Sequence, residues 1–243
     1  MHYIIEIATN DFITTKAAVD GGADRIELCA ALSEGGITPS FGMIRNCREA
    51  FTTQLFPIIR PRGGDFLYTD HEFMVMLDDV KKCKELGCDG VVIGLLDKKG
   101  NIDTERTARL IEEAYPLRIT FHRAFDRCED PFLAMEQLIK LGCERILTSG
   151  QKPNVMDGMD LVAKLVTAAN GRIIIMPGSG VRKDNINELA KKTGAIEFHS
   201  SLRSKTSSQM EFIHPAFADN AESYINPGLM PKDVSELRNA LNS

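Results

Sequence analysis

No run of about eighteen apolar residues occurs in the chain, which excludes a membrane-spanning helix of ordinary length. The sequence has no basic start leading into an apolar core and a small-residue cleavage site, and no lipidation signal, so a soluble, cytoplasmic protein is expected. An excess of positive charge is also missing. Lys+Arg total 29 against 34 Asp+Glu, for a formal net charge of −5, which argues against nucleic acid as a partner. Six cysteines occur without a single C-x-x-C pair, so free thiols are expected rather than a disulfide framework. H-E-x-x-H, G-x-S-x-G and a lysine placed at a strand end for Schiff-base chemistry are all lacking, and no low-complexity segment appears.

What is present is a repeated helix-to-strand junction. Gly22-Ala23-Asp24-Arg25-Ile26, Gly87-Cys88-Asp89-Gly90-Val91, Gly142-Cys143-Glu144-Arg145-Ile146 and, more loosely, Gly194-Ala195-Ile196-Glu197 each follow a helical pattern and precede a short apolar run. Glycine ends a helix in the left-handed region, and the small residue after it lets the returning chain pack closely. Further strand-like runs at Tyr3 to Ala8, Leu55 to Arg60, Leu117 to His122 and Arg172 to Met176 bring the number of expected strands to eight. Strands alternating with amphipathic helices imply parallel pairing through crossovers, and eight units in about two hundred residues suit one closed (β/α)₈ TIM barrel. The spacing predicts helices near 11 to 21, 40 to 51, 70 to 86, 103 to 115, 130 to 141, 158 to 169 and 183 to 192, with a last one from Lys232 to Leu241. The barrel is expected over residues 1–202. Residues 203–243 are expected to form an irregular tail with a short final helix packed on the barrel.

In such a barrel the working face lies at the strand C-termini. There the sequence is polar. Strand two ends in Glu27-Leu28-Cys29 and opens the loop Gly35-Gly36-Ile37-Thr38-Pro39-Ser40. Strand three runs into Ile59-Arg60-Pro61-Arg62-Gly63-Gly64-Asp65-Phe66, where two guanidinium forks and two glycines suit an anion. Strand five ends in Thr120-Phe121-His122-Arg123-Ala124-Phe125-Asp126, strand six in Leu147-Thr148-Ser149-Gly150, strand seven in Met176-Pro177-Gly178-Ser179-Gly180-Val181 and strand eight in His199. Arg60, Arg62, Arg123, Asp126, Ser149, Gly178, Gly180 and His199 are therefore candidates for holding a small anionic or phosphorylated ligand. His122 and Glu27 are the acid/base candidates. Each also has a plain alternative: arginines pairing with nearby acids, glycines serving a turn, histidines bonded within the core. Thiolate is a soft ligand favouring monovalent copper, and Cys29, at a strand end, with Cys47 in the following helix are the candidate metal ligands.

Taken in order, these motifs resemble the CutC family over residues 2 to about 205. The resemblance implies a cytoplasmic (β/α)₈ barrel, often oligomeric (a homodimer or homotetramer), associated with copper homeostasis and copper binding. It implies Cu(I) bound through Cys29, which lies within a matching motif; Cys47 lies outside the matched motifs and stands as a candidate from its thiol alone. Two readings thus stand side by side: copper handling, and an enzyme acting on a small anionic metabolite.

Overall fold

The computed structural model describes residues 2–217 and 224–241. Eight short strands alternate with helices: β1 Ile4–Thr9, α1 Phe12–Asp20, β2 Arg25–Leu28, α2 Phe41–Ala50, β3 Gln54–Pro57, α3 Asp70–Glu85, β4 Gly90–Ile93 and α4 Thr104–Ala114. The second half continues with β5 Arg118–Phe121, α5 Pro131–Leu141, β6 Arg145–Thr148, α6 Val155–Ala169, β7 Ile174–Pro177, α7 Ile186–Thr193 and β8 Glu197–Ser200. All pairings among these strands are parallel, in the orders β3-β2-β1-β8 and β4-β5-β6-β7. Ile58 bridges to Val92, and the Ile59 amide donates to the Val92 carbonyl at 2.8 Å, which joins the two rows on one side. On the other side β7 lies beside β8, closing the ring. The chain is a (β/α)₈ barrel.

Local chemistry explains the element ends. Gly22, Gly87, Gly142 and Gly194 have φ of +88°, +71°, +84° and +72°, so the repeated junction is a left-handed helix stop as expected. The small residues that follow them, Ala23, Cys88, Cys143 and Ala195, are all buried. Helix α6 begins three residues before the sequence pattern suggests, because the Asn154 side chain accepts from the Met156 amide and caps it. Helix α7 begins three residues later than expected. There Asn185 folds back to accept from the Arg182 amide at 2.8 Å, holding residues 182–185 as a turn.

The tail departs from expectation. Residues 203–230 contain an antiparallel pair, β9 Ser204–Ser207 and β10 Ile225–Gly228, which no hydrophobic alternation announced because all four β9 residues are exposed. Helix α8, Pro231–Leu241, packs Val234 and Leu237 onto the barrel, and Arg238 reaches the Gly22 carbonyl and Asp24.

The barrel interior carries charge. Arg25 is paired with Glu6 and with Glu197, and Arg145 with Glu197 at 3.1 Å, all four side chains being buried. The guanidinium carbons of Arg25, Arg118 and Arg145 lie 5.2 to 5.3 Å from the centre of the buried Phe56 ring. Arg25 and Arg145 come from the repeated junction, so two copies of that motif point cations into the barrel.

Candidate functional site

A pocket of about 200 Å³ opens at the C-terminal ends of the strands. Its walls include Glu27, Arg60, Phe66, His122, Gly180 and His199. Among the described residues, four of the five non-glycine residues with positive φ, Ala31, Gln151, Ser179 and Leu202, lie in the loops that follow β2, β6, β7 and β8. Strained backbone of this kind gathers where a loop shape is fixed by use rather than by folding alone.

One wall is built on β1, β2 and β8. Parallel pairing sets Glu6 opposite His199 and Ala8 opposite Glu27. His199 Nδ1 lies 2.7 Å from a Glu6 carboxylate oxygen, and Nε2 lies 3.8 Å from Glu27 Oε2. Burial would raise the Glu6 carboxyl, but the Arg25 guanidinium and then His199 outweigh it and hold Glu6 down at about 2. Burial works against a charged His199, yet its bond to Glu6 and the charge of Glu27 raise its proton affinity above the usual imidazole. Glu27 is pushed up to about 7, chiefly by burial and with Glu6 adding repulsion, against the opposing charge of His199. A buried carboxyl that titrates near neutrality is suited to giving and taking protons.

The facing wall is built on the loops after β3 and β5. Arg60 is 4 % exposed and grips loop backbone with both terminal nitrogens, donating to the carbonyls of Glu34, Gly36 and Gly64 at 2.9 Å each. Its Nε–H has no hydrogen-bond partner among the described residues; the Tyr68 hydroxyl is near this guanidinium but outside bonding geometry. The ring of Phe66 lies 5.0 Å from the Arg60 guanidinium and 5.0 Å from the His122 imidazole. His122 is also 4 % exposed. Its Nδ1 accepts from the Ala124 amide at 3.0 Å, so the proton of the neutral ring sits on Nε2, and that buried N–H has no partner either. Burial, then the charge of Arg60, push His122 down to about 3. It is a neutral hydrogen-bond donor at any ordinary pH. Gly94 makes room for it: a Cβ there would stand 2.3 Å from the imidazole.

The remaining sequence candidates divide. Arg123 lines the pocket, bonded to Asp126 at 2.7 Å and to the Ser149 hydroxyl at 2.8 Å. Asp126 also accepts from the Thr148 hydroxyl and from the amides of Ser149 and Gln151, so it knits the β5 and β6 loops together and has no oxygen to spare. Gly180 lines the pocket, whereas Gly178 lies below it with its amide donating to the Thr148 carbonyl. Arg62 does not line the pocket. It is held by Glu72 at 2.6 Å and Asp65 at 3.0 Å, and clasps its own loop to α3. Glu6, Phe66, Arg182 and Arg203 belong to the site or its support without having been singled out. A lone acid inside the apolar run Ile4-Ile5-Glu6-Ile7 was the available signal for Glu6.

Cys29 and Cys47 are not brought together as one site. Cys29 is packed in the barrel wall with Phe56, Ile58 and Val92, whereas Cys47 belongs to the larger core outside the ring, its sulfur 3.9 Å from that of Met43. The Cys29 thiol faces a Glu27 oxygen at 3.6 Å, and burial, then the Glu27 charge, hold it far from the thiolate form. Burial likewise raises the Cys47 thiol. Among the described residues no group of three or more His, Cys, Asp or Glu is arranged to hold a metal ion. No helix among them is long and apolar enough to cross a membrane.

Comparison with known proteins agrees with the motifs. The CutC family profile matches residues 3–204. A protein named CutC from Parabacteroides distasonis is 55% identical over 214 residues, covering 87% of this chain and 88% of the relative. Its namesake from Chromobacterium violaceum is 44% identical over 245 residues, covering 100% and 99%. Among solved structures, a CutC protein of Streptococcus agalactiae, named for copper homeostasis, superposes with a TM-score of 0.79 at 32% identity, covering 82% of this chain and 98% of that one. A thiamine phosphate pyrophosphorylase from Pyrococcus furiosus, at 16% identity and a TM-score of 0.60, covering 99% and 96%, shares the fold alone. The family profile, the curated relatives and the barrel agree: the chain belongs to the CutC family.

Proposed function

We propose that the pocket is the binding site of a small anionic metabolite and that the protein is an enzyme using Glu27 for proton transfer. Arg60 and His122 hold the ligand from one wall and Glu27, backed by His199, works from the other. The observation that carries this reading is the pair of buried N–H donors, Arg60 Nε and His122 Nε2, left without partners among the described residues in two side chains that line one small pocket. Burying such donors unpaired costs about 1–3 kcal/mol each, a cost that a ligand oxygen removes.

Thermal shift against phosphate, sulfate and small carboxylates tests it. At about a hundred times the dissociation constant the gain is about 2.7 kcal/mol, a rise of several degrees in Tm. His122→Asn keeps an acceptor for the Ala124 amide but lacks the distal N–H, and should weaken binding roughly tenfold or more. No stabilisation by any of the anions, or equal stabilisation of both proteins, defeats the reading.

Copper handling is the second reading, supported by the name of the S. agalactiae relative and by Cys29 beside the site. Direct Cu(I) binding through Cys29 and Cys47 would require two buried, protonated thiols in separate clusters to open. Competition of the reduced protein with a Cu(I) chelator decides: the metabolite reading expects the same result for wild type and Cys29→Ser, and loss of competition in the variant favours copper.

A further inference from the structure

We infer that the reaction is deprotonation of a small carbonyl compound at the carbon next to its carbonyl, with Glu27 as the base and the Arg60 and His122 N–H groups holding the oxygen that becomes negative. This rests on the pocket being a ligand site, and it adds the substrate class and the bond that breaks.

The argument begins with what the pocket does not offer. Among the described residues no lysine and no cysteine lines it, so none of them offers a Schiff base or a thiolate adduct on its walls. The Ser200 hydroxyl donates to the Val181 carbonyl at 2.8 Å and that of Ser179 to the Pro153 carbonyl at 2.7 Å, so both lie in backbone bonds and neither is bonded to a base. Ser201 also lines the pocket, and beside it the walls set a carboxyl group, backed by His199, across from two donor side chains. A volume of about 200 Å³ corresponds to a space roughly 6 Å across if equal in all directions, so a molecule of a few heavy atoms touches both walls at once.

His122 decides between two uses of the donor wall. With Nδ1 engaged by the Ala124 amide, the imidazole presents a hydrogen and no lone pair, so it polarises an oxygen and does not remove a proton. Arg60 keeps its proton throughout and contributes its Nε–H to the same oxygen. In the step itself, a Glu27 carboxylate oxygen takes the proton from carbon. The C–H pair becomes the C=C bond, and the C=O π pair moves onto the oxygen facing the two N–H groups. Returning a proton from Glu27 to the same carbon, as the C=C pair reforms the C–H bond and the oxygen pair reforms the C=O bond, completes exchange, and no further reactant enters the balance.

The rim adds an anionic end to the substrate. Arg182 and Arg203 line the pocket mouth; Arg182 has no side-chain partner among the described residues, and Arg203 bonds only the Leu32 carbonyl. Phosphate and carboxylate both suit them.

The test follows loss of the α-carbon proton signal in deuterium oxide by nuclear magnetic resonance, using dihydroxyacetone phosphate, 2-oxobutyrate and neutral hydroxyacetone as probes. Exchange above the buffer rate is expected for one of the two anionic probes and marks the end group as phosphate or carboxylate; hydroxyacetone should stay near the buffer rate. Glu27→Gln should lower exchange at least a hundredfold while keeping anion stabilisation, Glu27→Asp should be intermediate, and His122→Asn should lose roughly a hundredfold. Exchange at the buffer rate for both anionic probes, or equal exchange in wild type and Glu27→Gln, overturns the proposal. Because anion stabilisation is measured separately, its failure defeats the binding reading instead.

Discussion

Glu27 holds a proton that an exposed glutamate would have lost, and this has a direction in pH. Its neighbours in the fold are Glu6, Cys29, His199 and Arg25, and burial is the largest influence on it. Below about pH 4.5 the carboxyl is protonated in folded and unfolded chains alike and contributes no difference. As pH rises toward 7 the unfolded chain releases its proton while the folded one keeps it, so stability falls across that window by up to about 3 kcal/mol. Glu27→Gln should remove this slope. Urea unfolding of both proteins at pH 5 and pH 8 checks it: the wild type should lose more stability than the variant, and parallel behaviour would mean that Glu27 titrates normally. His122 follows the opposite sign, its folded form staying neutral while the unfolded chain takes up a proton below about 6.5, so its contribution is lost as pH falls. The difference between the two residues was not legible in the sequence. Strand-end position picked out both, but only the Nδ1 bond to Ala124 and the room left by Gly94 make one a fixed donor and the other a titrating acid.

At the scale of elements, the eight strands could be read because each is short, apolar and preceded by a turn with its own chemistry. The glycine junctions announce even-numbered strands through their left-handed φ, and capping boxes at Asp11 and Thr69, not singled out in the sequence, close the starts of α1 and α3. Misplaced ends have equally local causes, namely the Asn154 cap and the Asn185 turn. The β9 and β10 pair escaped notice because all four β9 residues are exposed, where no alternation of polarity is needed. The site was legible to the extent that the working face of a barrel lies at the strand C-termini, which located Arg60, His122 and His199. What sequence could not distinguish is which polar groups are spent. Arg62 and Asp126 look as suited to a ligand as Arg60 does, yet Arg62 is bound to Glu72 and Asp65, and Asp126 is filled by hydroxyls, amides and Arg123. Backbone shape also matters between elements: the Gly158 position in α6 lies so close to the Ser149 carbonyl that a Cβ would stand 1.9 Å from it, which brings α6 against the β6 loop that carries Ser149.

Across the whole molecule, the site rests on the charged interior of the ring. Arg25 binds Glu6, Glu6 binds His199, and His199 stands beside Glu27, so one line of polar contacts runs from the barrel centre to the pocket. Within the ring two cations, Arg25 and Arg145, meet two anions, Glu6 and Glu197, and the balance makes the burial tolerable. Removing one partner leaves an uncompensated charge, so Arg25→Met should cost about 3–5 kcal/mol, read as a fall in Tm of roughly 6–20 °C for a chain of this size. Its cause can be separated from lost packing. Met replaces most of the buried volume, and Glu6→Gln introduced into the Arg25→Met protein removes one of the stranded carboxylates. The double variant should therefore be more stable than Arg25→Met alone, even though Glu6→Gln by itself weakens the hold on His199 and destabilises the wild type. Additive losses would show that these residues contribute through shape rather than charge, and would remove the electrostatic support claimed for His199 along with it.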